Sequence, residues 1–115
     1  MTDEMLKFTT QEDERSGARV VALQGVLTIR TIFDFQHEVR KPNGGNLILD
    51  LSGVDYMDSA GLGAILGARA SCERQGKRLA LVGASPRVLT LFELTHTDTV
   101  LPRFASVDEA VRSLQ

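Results

Sequence analysis

Residues 46–51 read Asn-Leu-Ile-Leu-Asp-Leu, a nearly continuous apolar run that follows the turn-forming Pro42-Asn43-Gly44-Gly45. Such a run suits a central strand of a largely parallel sheet, covered on at least one face by helices. The rest of the chain is organised around it. Residues 6–10 form a polar-rich strand, 11–17 a charged turn, and 19–24 (Arg-Val-Val-Ala-Leu-Gln) a β-branched strand ending at Gly25, so the first two strands make a hairpin. Thr31 can cap a helix with an apolar stripe of Ile32, Phe35 and Val39, ended near Pro42.

Downstream of the central strand, residues 52–55 (Ser-Gly-Val-Asp) make a short turn. A helix then spans 59–74, with Leu62, Ile65, Leu66 and Cys72 inward, and stops at Gly76. Residues 78–82 form a short apolar strand. Ser85 and Pro86 supply an N-cap and first-turn proline for a helix through Leu94. Residues 100–104 make a last strand, interrupted by Pro102 and therefore at an edge. Ser106 and Glu109 fit a capping box ahead of Val107, Ala110, Val111 and Leu114, which repeat at helical spacing. The order β-β-α-β-α-β-α-β-α predicts an α/β domain with a mixed, mostly parallel sheet of about five strands covered by about four helices. The expected core includes Leu62, Ile65, Leu66, Leu79, Leu81, Val88, Phe92 and Val111.

Composition narrows the function classes. At 115 residues, 43% apolar and 24% charged, the chain can bury a core without metals or disulfides. A net charge of −2 with no basic cluster argues against nucleic-acid or anionic-membrane binding. No run approaches the roughly 18 apolar residues of a membrane span, and the polar start (Thr2, Asp3, Glu4) lacks a signal pattern, so a cytoplasmic location is expected. Cys72 is the single cysteine and reads as a small core residue. His37 and His96 stand apart, with no partner at ligand spacing, so no metal and no cofactor is expected.

The chemistry concentrates in Asp58-Ser59-Ala60-Gly61-Leu62-Gly63, between the central strand and the following helix. This places a small hydroxyl beside a carboxylate at a helix N-terminus, where backbone N–H groups and the helix dipole receive negative charge, including a phosphate built onto the protein. Ser59 is either a helix cap or a modifiable acceptor. Asp58 is either the cap or the group that orients Ser59. Gly63 and Gly67 lie four apart on one helix face, with Ala60 and Ala70 close by, so this face either packs closely on the sheet or presents a shallow surface to a partner helix. Tyr56 and Met57, just before the site, are expected to pack in the core or loop, with partner contact as the alternative. Arg69 and Arg74 form a solvated flank. A serine-hydrolase elbow, Gly-x-Ser-x-Gly, is a poor match because Met57 occupies the first glycine position. A phosphate-binding loop is equally poor, since no Gly-Lys-Ser/Thr follows the glycines.

The strand 47–51, the turn 52–55 and the stretch Tyr56-Met57-Asp58-Ser59-Ala60-Gly61-Leu62-Gly63 together resemble the STAS domain, in particular the bacterial anti-sigma factor antagonists. Leu79-Ala80-Leu81-Val82-Gly83 and residues 88–95 (Val-Leu-Thr-Leu-Phe-Glu-Leu-Thr) look like the family's fourth strand and third helix, and the resemblance covers residues 6–114 of an expected single domain, 1–115. It implies that Ser59 is phosphorylated by an anti-sigma factor with a histidine-kinase-like ATPase fold. The unphosphorylated antagonist would bind that kinase and free a sigma factor, and a PP2C-type serine phosphatase would reset the switch. The implied partner surface comprises Asp58, Ser59, Ala60, Gly61, Leu62, Gly63, Gly67 and Thr28, with the neighbouring loop 25–31. Thr28 stands where family members often carry an acidic residue in a Gly-x-Leu-Asp pattern, here Gly25-Val26-Leu27-Thr28. The role implied is a binding switch and not an enzyme. The alternative is a non-switching STAS subunit of a lipid-transport ABC complex or a stress-signalling scaffold. Oligomeric state is left open.

Overall fold

The computed structural model describes residues 5–42 and 44–114. Its elements run β1 (Leu6–Glu12), β2 (Arg19–Leu27), α1 (Ile32–Val39), β3 (Leu47–Met57), α2 (Ser59–Arg74), β4 (Leu79–Val82), α3 (Pro86–Leu94), β5 (Arg103–Phe104) and α4 (Val107–Leu114). The strands form one five-stranded sheet in the order β1-β2-β3-β4-β5. The β1–β2 hairpin is antiparallel, and every later pairing is parallel. This is the mixed, mostly parallel sheet with four helices that the element order predicts.

Strand alternation divides the interior in two. Leu47, Leu49 and Leu51 of β3, with Leu79 and Leu81 of β4, point toward Phe35 of α1, Leu62 and Ile65 of α2, and Val88 and Phe92 of α3. Ile48, Ala80 and Val82 point the other way, onto Ala110 and Leu114 of α4. The period of two along a strand makes this division automatic. It also explains why the run 47–51 is apolar at every position but Asp50: both sides of β3 are covered. Each fully buried Leu or Ile in such a layer contributes about 1.5–3 kcal/mol.

Helix boundaries follow the expected caps in most cases. Ser85 Oγ accepts the Val88 N–H at 3.2 Å and Ser106 Oγ accepts the Glu109 N–H at 3.1 Å. Gly76 takes a left-handed φ of 71° just past α2, where a side chain would be strained.

Several expectations are corrected. Residues 52–55 are not a turn: β3 continues through them to Met57, still paired with β2. Gly53 allows this, because a β-carbon there would fall 2.6 Å from the Leu23 carbonyl oxygen. Register shifts opposite Ala22–Gln24 and Gly25–Val26, where β3 carries one extra residue each time, absorb the irregularity. Likewise β2 does not end at Gly25 but runs to Leu27. Thr31 occupies the α1 N-cap position without a side-chain cap bond. Its Oγ1 instead donates to the Val26 carbonyl at 2.9 Å and accepts the Thr28 N–H at 3.0 Å, bracing the loop that precedes α1. The last strand is two residues long, since Pro102 lacks the donor a longer ladder needs. Leu66 and Val111 are only partly buried, at the margins of their clusters.

Candidate functional site at the start of the second helix

The carboxyl ends of β2 and β3 meet at the N-terminus of α2, and Asp58 is the joint. Its backbone is extended (φ −102°, ψ −177°), as an N-cap requires. Oδ1 accepts the Gly61 N–H at 2.9 Å, and the Asp58 carbonyl accepts the Leu62 N–H at 3.0 Å. Oδ2 accepts the Ile29 N–H at 3.1 Å, while the Asp58 N–H reaches the Leu27 carbonyl at 3.3 Å. One residue therefore caps α2 and fastens it to the loop leaving β2. Of the two roles open to it in the sequence, Asp58 takes the cap.

Ser59 follows as the first helical residue and is exposed. Since the cap is already filled, its hydroxyl is not needed to end the helix. A group added to this oxygen would sit at the positive end of the α2 dipole and beside the Asp58 carboxylate.

The residues that follow divide between two surfaces. Gly61 and Leu62 face inward and are buried. A β-carbon at Gly61 would lie 2.2 Å from the Leu27 carbonyl oxygen, so glycine is what lets α2 approach β2. Gly63 and Gly67 are exposed, and a β-carbon at either would meet nothing within 4 Å. Of the two readings of that face, close packing on the sheet is not what the structure shows. Ala60 and Ala70 are half-buried beside it.

Thr28 is buried in the loop. Its Oγ1 accepts the Arg30 N–H at 3.3 Å, and its carbonyl accepts the N–H groups of Thr31 and Ile32. Thr28 thus shapes the loop from within. What the loop presents outward is Ile29, 61% exposed, and then Phe33 at the start of α1, 74% exposed. Both are large exposed apolar side chains, and Ile29 is held to the start of α2 through the Asp58 carboxylate. Ile29 falls in the 25–31 loop that the sequence reading placed at the partner surface, whereas Phe33 was not singled out, although a signal was available: it lies off the Ile32–Phe35–Val39 stripe. Tyr56 is also exposed, against expectation, because the extension of β3 turns it outward, while Met57 is buried as expected.

The remaining candidates are structural. Cys72 is buried, and that burial pushes its thiol pKa up. Arg69 pairs with Glu73 at 2.8 Å along α2, and Arg74 is exposed on the same flank. His37 and His96 are exposed. No group of three or more His, Cys, Asp or Glu stands together to hold a metal among the described residues. No helix among them is long and apolar enough to cross a membrane.

Comparison with known proteins agrees with this geometry. The STAS domain family model matches residues 9–110. An anti-sigma-B factor antagonist of Staphylococcus aureus (strain NCTC 8325 / PS 47) is 30% identical over 87 residues, which are 76% of this chain and 81% of that protein. The chain belongs to the STAS domain family. An anti-sigma factor antagonist from Mycobacterium paratuberculosis superposes with a TM-score of 0.83 at 19% identity, over 98% of this chain and 97% of that one. Bacillus SpoIIAA, an antagonist solved in unphosphorylated and phosphorylated forms, gives TM-scores of 0.75 and 0.70 at 22% and 20% identity. The two SpoIIAA superpositions cover 93% and 95% of this chain and 95% and 100% of those.

Proposed function

We propose that this protein is an anti-sigma factor antagonist whose binding is switched by phosphorylation of Ser59. In the unphosphorylated state it docks on an anti-sigma factor serine kinase of histidine-kinase-like ATPase fold and frees a sigma factor. Phosphorylation at Ser59 ends the association, and a PP2C-type serine phosphatase restores it. The setting is the bacterial cytoplasm, and the role is binding, not catalysis.

The observation that carries this reading is that Asp58 fills the cap and leaves Ser59 exposed beside an open glycine face. A hydroxyl with no structural duty can be modified without disturbing the helix. The docking surface would comprise Ser59, the Gly63–Gly67 face, and the apolar pair Ile29 and Phe33. The names of its relatives, and a fold shared with an antagonist that exists in a phosphorylated form, support the same reading.

The switch is electrostatic and local. A phosphate adds roughly −1.5 to −2 charge at neutral pH, close to the Asp58 carboxylate. A partner closing over the glycine face would have to desolvate that charge, and an unpaired charge at an interface costs several kcal/mol.

The test is incubation with ATP and the anti-sigma factor kinase of the same genome, followed by mapping of the phosphorylated residue by mass spectrometry. Phosphate on Ser59, with loss of the complex, is the expected result. Phosphate on Thr28, Ser52 or Ser85 in its place, or none, overturns the proposal.

A further inference from the structure

The seam between α1 and α2 opens into a groove of about 520 Å³ whose α2 wall includes Ala60, Gly63 and Gly67 of the face beside Ser59, a size typical of small-molecule sites. Its floor is aliphatic, formed by Ile32, Val39, Leu47, Ala64, Ala68 and Cys72. Arg19, Arg40, Lys41, Arg74 and Lys77 also line it, and no aspartate or glutamate does. In a chain of net charge −2, this gathers positive charge on one concave surface. Glu38 of α1 offsets part of it by pairing with Arg19 and Lys41. Arg40 and Arg74 have no ion pair among the described residues.

Arg19 supplies a second, independent observation. It is the first residue of β2 and only 7% exposed. Its Nη2 donates to Glu38 Oε2, but Nη1 is buried without any acceptor. Buried guanidinium donors are normally satisfied, so an orphan in the wall of a cationic groove points to an anionic acceptor from outside the chain.

We propose that this groove binds an amphiphile with one carboxylate on an unbranched aliphatic body. The carboxylate is taken by Arg19, with Arg40 and Lys41 at the rim, and the tail lies on the floor toward Ala68 and Cys72. Nη1 is itself buried, so binding requires the guanidinium to turn toward the headgroup. No aromatic side chain lines the groove, which leaves a nucleotide base without a stacking partner and favours an aliphatic ligand.

Decanoate, kept below its micelle-forming concentration, is the probe. It is titrated into the full chain by calorimetry and followed by backbone amide shifts, and neither readout requires a protein partner. One saturable site is expected, with shifts at Val39, Ala68 and Cys72. Decanol should bind at least tenfold more weakly, as should decanoate to the Arg19→Met variant. Ser71→Trp, which fills the groove from α2, should abolish binding. Should Arg19→Met fail to fold, the double variant Arg40→Gln/Arg74→Gln, altered only at exposed rim positions, decides the point with an expected threefold or greater loss. Absence of saturation, equal affinity for decanol, inorganic phosphate binding as tightly as decanoate, or shifts confined to surfaces outside the groove would each overturn the proposal.

Discussion

Asp58 Oδ2 accepts the backbone N–H of Ile29 at 3.1 Å, joining two segments that lie 29 positions apart in sequence. This bond ties the start of α2, which carries Ser59, to the loop that carries the exposed Ile29. A partner that recognises both meets a preformed surface and does not have to order a loop on arrival.

Removing that joint has a measurable cost. Asp58→Ala loses the Gly61 cap bond and the Ile29 tether together, and should destabilise the fold by about 1–2 kcal/mol in urea denaturation. Amide exchange at Ile29 should accelerate in the same variant. Protection at Ile29 equal to wild type would show that the tether holds nothing.

The glycine face can be tested without touching the core. Gly63→Arg projects into open space, so its far-UV circular dichroism should match wild type while the complex with the kinase is lost. Wild-type affinity from a folded Gly63→Arg protein would leave that face idle.

Ser59→Ala removes the acceptor oxygen without adding bulk. It should bind the kinase and resist release by ATP, with stability within about 0.5 kcal/mol of wild type, because Asp58 and not Ser59 caps the helix. Ser59→Asp should weaken the complex, though less than phosphate does, since one carboxylate carries less charge. Undiminished binding by both Ser59→Asp and the phosphorylated protein would remove the switch.

Burial separates two adjacent side chains of α2. Ile65 is fully buried, so Ile65→Ala should cost about 2–5 kcal/mol. Leu66 packs only partly against the same cluster, so Leu66→Ala should cost clearly less. Equal losses in thermal or urea unfolding would contradict the packing.

Stability should also fall at acid pH through Glu38. Burial works against its charge, but the hydrogen bond and charge of Lys41, the charge of Arg19 and the Thr10 hydroxyl together hold its pKa below the ordinary value of 4.5. A depressed folded-state pKa stabilises the fold above the unfolded-state value, and that contribution is lost as pH falls through the lower, folded one. Glu38→Gln should therefore flatten the acid limb of the stability profile below about pH 4.5. An unchanged slope would place the acid sensitivity elsewhere.

The fold was legible because its signals were local. The apolar run 47–51, the Ser85-Pro86 and Ser106–Glu109 caps and the Gly76 stop each act within a few residues. The continuation of β3 through Ser52-Gly53 was not, because turn-forming residues there are overridden by pairing with β2, a partner distant in sequence. At the site, Ser59 and the glycine face stood out in the sequence. Choosing between Asp58 and Ser59 as the cap required knowing which side chain reaches the Gly61 N–H, and the inward turn of Thr28 depends on loop bonds that no spacing encodes.

The contrast between Gly61, pressed against Leu27, and Gly63 and Gly67, open to solvent, also bears on how such chains diversify. A duplicated copy cannot alter Gly61 without pushing α2 off β2. It can place almost any side chain at 63 or 67 and still fold. If partners dock on that face as proposed, two copies in one cell could become deaf to each other's partners by single substitutions, each new side chain acting as a key bit on an otherwise common blank. Cross-talk between parallel pathways would then be set by a few atoms above one helix turn, while the scaffold beneath them stays the same.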